Sequence, residues 1–388
     1  MKLLVLLPRV PYPLEKGDKL RAYNQIKCLS VNNEIILCAL SDCPVHPEAM
    51  KNLLPFCKTI YILKISKPGI IVNLIKAFFK GIPFQTGYFY NSSVHRRFRQ
   101  IIEKEQPDHI YCQLLRVAEY VKDQPLPKTL DYQDVFSKGI ERRIHKSPFY
   151  LKPLLKLEYR RLLKYEKEVF DIFDNKTIIS VPDRDLIPHP EKDKIHVIPN
   201  GVDFDFFKPL NREKDFHLVF TGNMGYPPNV NAAEFLVKEV LPLVHQTKPE
   251  VKVLLAGATP DHRVLALKSD NVEVTGWVDD MRECYARAEI FIAPMQIGTG
   301  LQNKLLEAMA MNLPCITSPL ANEALQAKVG VEVLVGVDAK EYADHIIHLL
   351  ENSDFSVSVA KAGSDFVWRN YDWEKATRVL DKLINGII

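Results

Sequence analysis

Short runs of apolar residues alternate along this chain with longer stretches in which apolar side chains recur every three or four positions. The runs fall at 2 to 7, 34 to 40, 58 to 63, 109 to 112, 128 to 131, 176 to 180 and 194 to 198. Leu20, Tyr23, Ile26 and Leu29 show the helical spacing typical of the stretches between them. A strand covered on both faces reads as an unbroken apolar run, and neighbouring parallel strands need a crossover, usually a helix. The first half therefore predicts a parallel sheet between two layers of helices. The pattern then restarts: strand 216 to 220, helix 229 to 246, strands 251 to 256 and 272 to 274, helix 280 to 287, strand 289 to 293, helix 302 to 311, strand 314 to 317, helix 339 to 351. Two doubly wound α/β domains in series are expected. Their joint is placed within 204 to 215, where Lys208-Pro209-Leu210-Asn211-Arg212-Glu213-Lys214 is polar and aperiodic. The expected domains are 1–204 and 205–367. The aromatic-rich end, with helical spacing at Ala376, Val379, Leu380 and Leu383, reads as a cap on the second domain or a crossover to the first. Residues 368–388 are assigned to the crossover.

Length and composition narrow the class. At 388 residues the chain exceeds one ordinary core, while 47% hydrophobic and 26% charged residues describe an ordinary globular protein. A net charge of +3 gives no argument for nucleic acid, and none is expected as a partner. The opening Met1-Lys2-Leu3-Leu4-Val5-Leu6-Leu7-Pro8-Arg9 is too short an apolar run for a secretory signal and reads as a first strand. Asn73 and Lys76 interrupt the best candidate for a membrane span. Seven scattered cysteines without a C-x-x-C pair indicate neither a zinc site nor a disulfide framework, and a reducing, cytoplasmic setting is expected.

Chemistry concentrates in Gly298-Thr299-Gly300-Leu301-Gln302-Asn303-Lys304-Leu305-Leu306-Glu307, a glycine turn that opens into a helix after the strand at 289 to 293. Helix starts present unpaired N–H groups and the positive end of the dipole, so a diphosphate binds there, and glycine allows close approach. Lys304 adds a charge, and Glu307, one turn on, faces the same way and suits vicinal hydroxyls such as those of a ribose. The plain alternative is a strand-turn-helix with a surface Lys and Glu. A second glycine loop, Phe220-Thr221-Gly222-Asn223-Met224-Gly225-Tyr226-Pro227-Pro228-Asn229, offers amide donors on Asn223 and Asn229 or simply an Asn cap. Thr275-Gly276-Trp277-Val278 lies at another strand end, where Trp277 reads a nucleobase edge or fills the core. In the first domain, Gly17 precedes a helix after a long loop, and Asp134 closes a strand as an acid-base group or a helix cap. Asp183-Arg184-Asp185 and Asp203-Phe204-Asp205 lack further acidic neighbours and read as turn or cap residues, so no metal is assigned.

Pro199-Asn200-Gly201-Val202-Asp203, the Gly222 to Asn229 loop, Thr275 to Val278 and Lys304-Leu305-Leu306-Glu307-Ala308-Met309-Ala310 together resemble glycosyltransferase family 4, over nearly the whole chain. Pro11-Tyr12-Pro13 with Gly17 to Tyr23 is similar to its bacterial exopolysaccharide branch. The resemblance implies a GT-B fold, two Rossmann-like domains facing a cleft, and metal-free, cofactor-free hexosyl transfer with retention. The donor is a UDP- or GDP-sugar, and the acceptor a growing surface glycan or a lipid-linked one. It implies that Glu307 holds the ribose, that Gly300, Leu301, Gln302, Asn303 and Lys304 form the diphosphate turn, that Trp277 and Val278 meet the base, and that Gly17 lies near phosphate and acceptor. Gly222 belongs to the donor loop. The pattern is departed from at Thr299, where many members carry a glutamate, and at Asn223 and Asn229, where many carry Arg and Lys. Lys304, the helix dipole and Arg21 are expected to compensate, and Asp134 to stand in for a histidine that is not evident. Two rivals share the architecture: a nucleotide-sugar epimerase or hydrolase, and a non-catalytic nucleotide-sugar binder. Finally, apolar Ile70 to Phe79 among Lys67, Lys76 and Lys80, with basic residues from Arg142 to Lys164, predicts peripheral contact with an anionic membrane or a core helix with a solvated basic back.

Overall fold

The computed structural model describes residues 1–297 and 301–387, with backbone only at 145 and 146. The chain forms two compact units, Met1–Pro199 with Trp373–Ile388, and Asn200–Asp372.

The first unit is built on seven strands: β1 (Lys2–Leu7), β2 (Glu34–Ser41), β3 (Thr59–Lys64), β4 (His109–Gln113), β5 (Lys128–Asp131), β6 (Asn175–Ile178) and β7 (His196–Val197). They pair in parallel in the order β3-β2-β1-β4-β5-β6-β7. Successive side chains of a strand point to opposite faces, so the run of β1 divides between two cores. Leu4 and Leu6 join Ile36, Phe98 and Ile110 on one side. Leu3, Val5 and Leu7 join Ile26, Leu29 and Leu37 on the other. That second core also takes Leu380 and Ile384 of helix Trp373–Ile384, whose Asp381 accepts hydrogen bonds from Asn32 at 2.9 Å and Asn33 at 2.7 Å. The tail is thus part of the first unit and not a cap on the second.

The second unit has six parallel strands: β8 (Phe216–Thr221), β9 (Val253–Ala256), β10 (Val272–Val274), β11 (Ala288–Ala293), β12 (Cys315–Thr317) and β13 (Leu334–Val335), in the order β10-β9-β8-β11-β12-β13. From β8 the chain winds outward one way and from β11 the other, so the order reverses between them. Ligands of open α/β sheets bind outside the carboxyl ends of strands at such a reversal.

Three details differ from the sequence reading. The joint falls at 199 to 200, before the polar stretch, because Val202 donates to the Tyr371 carbonyl at 2.8 Å and pairs with Asp372, tying the start of the second unit to its end. The expected helix 229 to 246 is broken into Pro227–Phe235, a π-turn at Leu236–Val240 and Leu241–His245. Pro242 has no N–H to donate back into the ladder, which accounts for the break. Strand β13, two residues long, has no run that periodicity can detect.

Candidate functional site in the second unit

β8 and β9 both end on glycines with positive φ, Gly222 at 147° and Gly257 at 143°. The two backbones touch: a Cβ on Gly257 would lie 1.7 Å from the Gly222 carbonyl oxygen. No side chain fits there, and the two loops are locked edge to edge. A Cβ on Gly222 would in turn lie 2.8 Å from Asn229 Nδ2 and 3.2 Å from Lys304 Nζ. Gly222, lacking a side chain, is therefore what lets an amide and an ammonium pack directly against the backbone there.

Lys304 is the second residue of helix Asn303–Ala310, which starts after Gln302 without a side-chain cap. In its first turn the Leu305 N–H donates to the Gln302 carbonyl at 2.9 Å. The Lys304 ammonium donates to Asn229 Oδ1 at 2.5 Å, lies 3.9 Å from Met295 Sδ and sits 4.6 Å from the centre of the Phe220 ring. Burial lowers its pKa to about 7, against a smaller opposing pull from Glu307. Asn229, the third residue of helix Pro227–Phe235, also donates to the Asn223 carbonyl at 2.9 Å, while Tyr226 occupies the cap position. Asn229 thus orients Lys304 and is not the helix cap. The Asn223 side-chain oxygen is used inside its own loop, accepting from the Gly225 N–H and the Thr259 hydroxyl, each at 2.9 Å.

Glu307 accepts a hydrogen bond from the Tyr285 hydroxyl at 2.8 Å, and Tyr285 is in turn 2.9 Å from Thr221 Oγ1. Burial raises the Glu307 pKa, opposed by the Tyr285 hydrogen bond and by Lys304. One carboxylate oxygen is fixed and the residue keeps partial exposure, so the carboxylate is pre-oriented for a further donor. Asn303 Oδ1 accepts from Asn200 at 3.0 Å, and Leu301 packs partly against the core. Trp277 is 63% exposed, with its indole N–H given to Asp279 at 2.8 Å, so it is not the core residue that was the alternative. Val278 packs partly on the core beside it. Gly298, Thr299 and Gly300 lie outside the described residues.

In the first unit, Gly17 is the first residue of helix Gly17–Leu29, with open space where a side chain would be. Asp134 does not cap the following helix, whose cap residue is Val135 with no side-chain bond. Burial and the nearby Asp183 carboxylate push the Asp134 pKa to about 7, with Arg116 pulling the other way. Arg21 requires a correction. Its guanidinium is fully buried in the first unit, donating to Asp131 from Nε at 2.7 Å and from Nη2 at 3.1 Å, and Thr177 and Tyr111 complete the carboxylate at 2.9 and 3.1 Å. It ties helix Gly17–Leu29 to the end of β5 through Asp131. Among the described residues no three of His, Cys, Asp and Glu gather in a metal-holding group.

Sequence reasoning missed Tyr285, Met295 and Gly257, and gave Phe220, which opens the second glycine loop, no role of its own. Gly257 follows an apolar strand run and was detectable by the same rule that found Gly222. Tyr285 carries no local signal, because its hydroxyl meets Glu307 across 22 residues.

Residues 215–352 match the family model of glycosyl transferases group 1. An uncharacterized 44.6 kDa protein in the cps region of Klebsiella pneumoniae is 23% identical, over 96% of this chain and 97% of that one. Sucrose-phosphate synthase of Thermosynechococcus elongatus superposes with a TM-score of 0.72 at 16% identity, covering 100% of this chain and 99% of the other. HepE of Anabaena, in complex with UDP and glucose, gives 0.73 at 12% identity and covers 100% of both chains.

Proposed function

We propose, from the premise that this chain is a glycosyltransferase of the group 1 type on a GT-B fold, that it transfers a hexose with retention from a UDP- or GDP-sugar to a surface glycan or lipid-linked acceptor. The observation that carries the reading is the convergence of Gly222, Asn229, Lys304 and Glu307 at the strand reversal of the second unit. The UDP and glucose held by HepE, and the cps-region relative, support a nucleotide-sugar donor and a surface glycan.

In this reading the diphosphate rests over Gly222 with Lys304 and the first turn of helix Asn303–Ala310 against its charge. Glu307, steadied by Tyr285, accepts hydroxyls of the ribose, and the Trp277-Val278 turn meets the base. As the bond from the anomeric carbon to the diphosphate lengthens, negative charge builds on the leaving oxygen, and a preoriented ammonium with helix N–H groups lowers that barrier. Asp134, held near neutral pKa, is assigned acid-base work toward the acceptor. The protein is assigned to the cytoplasm.

A panel of nucleotide sugars scanned for thermal stabilisation identifies the donor, because a ligand that binds only the folded state raises the melting temperature. The stabilising sugar is then consumed only when an acceptor extract is added. Consumption without acceptor would replace the reading with an epimerase or hydrolase, and stabilisation without consumption with a binder. Transfer is expected to survive EDTA, since the charge neutralisation is assigned to Lys304 and backbone N–H groups. Loss on chelation with recovery on magnesium or manganese would assign the diphosphate to a metal instead.

A further inference from the structure

Helix Lys67–Lys80 of the first unit is oriented opposite to an ordinary surface helix. Its core contact is narrow: Ile70, Asn73 and Ala77 are its buried residues. Ile71, Val72, Ile75, Phe78 and Phe79 are exposed, with Phe79 at 81%, Ile71 at 63% and Ile75 at 55%. At 3.6 residues per turn these five fall within an arc of about 120°. Lys67, Lys76 and Lys80 flank that arc, and the helix contains no carboxylate.

The face continues onto a second element. Arg161, in helix Lys152–Phe170, donates from Nη2 to the Phe78 carbonyl at 2.7 Å and lies over the rings of Phe78 and Phe84. Leu154 is seven residues before Arg161, hence on the same side two turns earlier, and it is exposed, as are Phe149 and Tyr150 ahead of it. Lys152, Lys156 and Arg160 extend the basic margin. No helix of the described residues is long and apolar enough to cross a bilayer. At about 1.5 Å per residue this one is far shorter than the hydrocarbon thickness.

On the flank of the same helix lies a cavity of about 610 Å³, lined by Asn73, Lys76, Lys80, His95 and Lys122, with Glu119 and Asp123 on its wall. Glu119 is paired to Lys122 at 2.7 Å. Asn73 and His95 are more than nine-tenths buried, and Asn73 Nδ2 and His95 Nε2 have no hydrogen-bond partner. Where the Tyr90 hydroxyl, 3.1 Å away, donates to His95 Nδ1, His95 Nε2 carries the proton. Two orphaned donors behind two lysines leave this wall short of acceptors, which an oxyanion would supply.

We propose that helix Lys67–Lys80 docks the first unit onto an anionic bilayer, its apolar arc entering the acyl boundary and the phosphate of a lipid headgroup entering the flanking cavity. A buried apolar face holds the helix in the interface, while the lysines and orphaned donors select for negative charge. The proposal rests on the glycosyltransferase reading only for its purpose, access to a lipid-linked acceptor. Binding is measurable without donor or acceptor, so either idea can fail alone.

Co-sedimentation of the full chain with phosphatidylcholine vesicles, with or without phosphatidylglycerol, tests it. Binding to the anionic vesicles at low salt is expected, weakened about tenfold or more at high salt. The double variant Ile75→Ser/Phe79→Ser should lose binding about tenfold with an unchanged melting temperature, since both side chains are already exposed. Lys76→Glu/Lys80→Glu should abolish the preference for anionic vesicles. Equal failure to bind both vesicles at low salt would overturn the proposal, as would binding that neither variant changes. Binding of soluble glycerol phosphate without vesicle association would assign the cavity to a free phosphate and equally overturn it.

Discussion

In the proposed site, Lys304 is the side chain assigned to the charge of the diphosphate. Lys304→Ala is expected to weaken UDP and GDP binding by about 1.5–3 kcal/mol, the range for a charged hydrogen bond, and Glu307→Ala to weaken nucleoside binding similarly. Calorimetry on folded variants checks both, and unchanged affinities would remove the assignment. Because its pKa is lowered to about 7 from the ordinary 10.5, Lys304 is largely neutral in the free protein above pH 7. A bound diphosphate favours the ammonium and raises that pKa. Binding should therefore take up a proton between pH 7 and the ordinary lysine range, and affinity should fall as pH rises, by up to about tenfold per unit. Titrations in buffers of different ionisation enthalpy read the proton directly, and Lys304→Ala should erase the effect. Lys304 and Glu307 were legible in the sequence because both lie on one helical turn. The role of Asn229 was not, since a side chain that can donate to a ligand can equally accept from a lysine, and only the 2.5 Å contact across 75 residues decides it.

The element that fixes this geometry is the pair of strand ends at Gly222 and Gly257. Gly257→Ala places a methyl group inside the Gly222 carbonyl and at a φ that suits only glycine, so β8 and β9 must separate. A loss of about 3 kcal/mol is expected, at the upper end for overpacking, with a lower melting temperature and weaker nucleotide binding together. A variant with wild-type stability would mean that the loops are not locked. At this scale legibility followed run length. Strands β1, β2 and β8 were readable because they are buried on both faces, whereas β13 is two residues long and the 229 to 246 helix concealed its break in one proline. The turn at Gly298 to Gly300, the most readable segment in the sequence, lies outside the described residues.

At the scale of the whole molecule, the two-sheet architecture was legible from the restart of alternation at β8, but the joint was not. Polar composition pointed to 208 to 214, while the boundary is set by backbone pairing of Val202 with Tyr371 and Asp372. Deleting 373–388 should strip Trp373, Leu380 and Ile384 from the first unit. At about 1.5–3 kcal/mol per buried side chain, more than about 4 kcal/mol of its stability should be lost. Nucleotide binding by the second unit should survive, which a two-transition melt with and without UDP would read. A single transition lost altogether would show that the units do not fold separately.

The same tail sets an order of events during synthesis. The second unit is a continuous stretch, complete once Asp372 has left the ribosome, whereas the first waits for its last helix even though its opening strand was made first. Until helix Trp373–Ile384 has emerged, the Leu3, Val5 and Leu29 side of that sheet lacks Leu380 and Ile384, and its apolar surface is what a chaperone at the exit tunnel would meet.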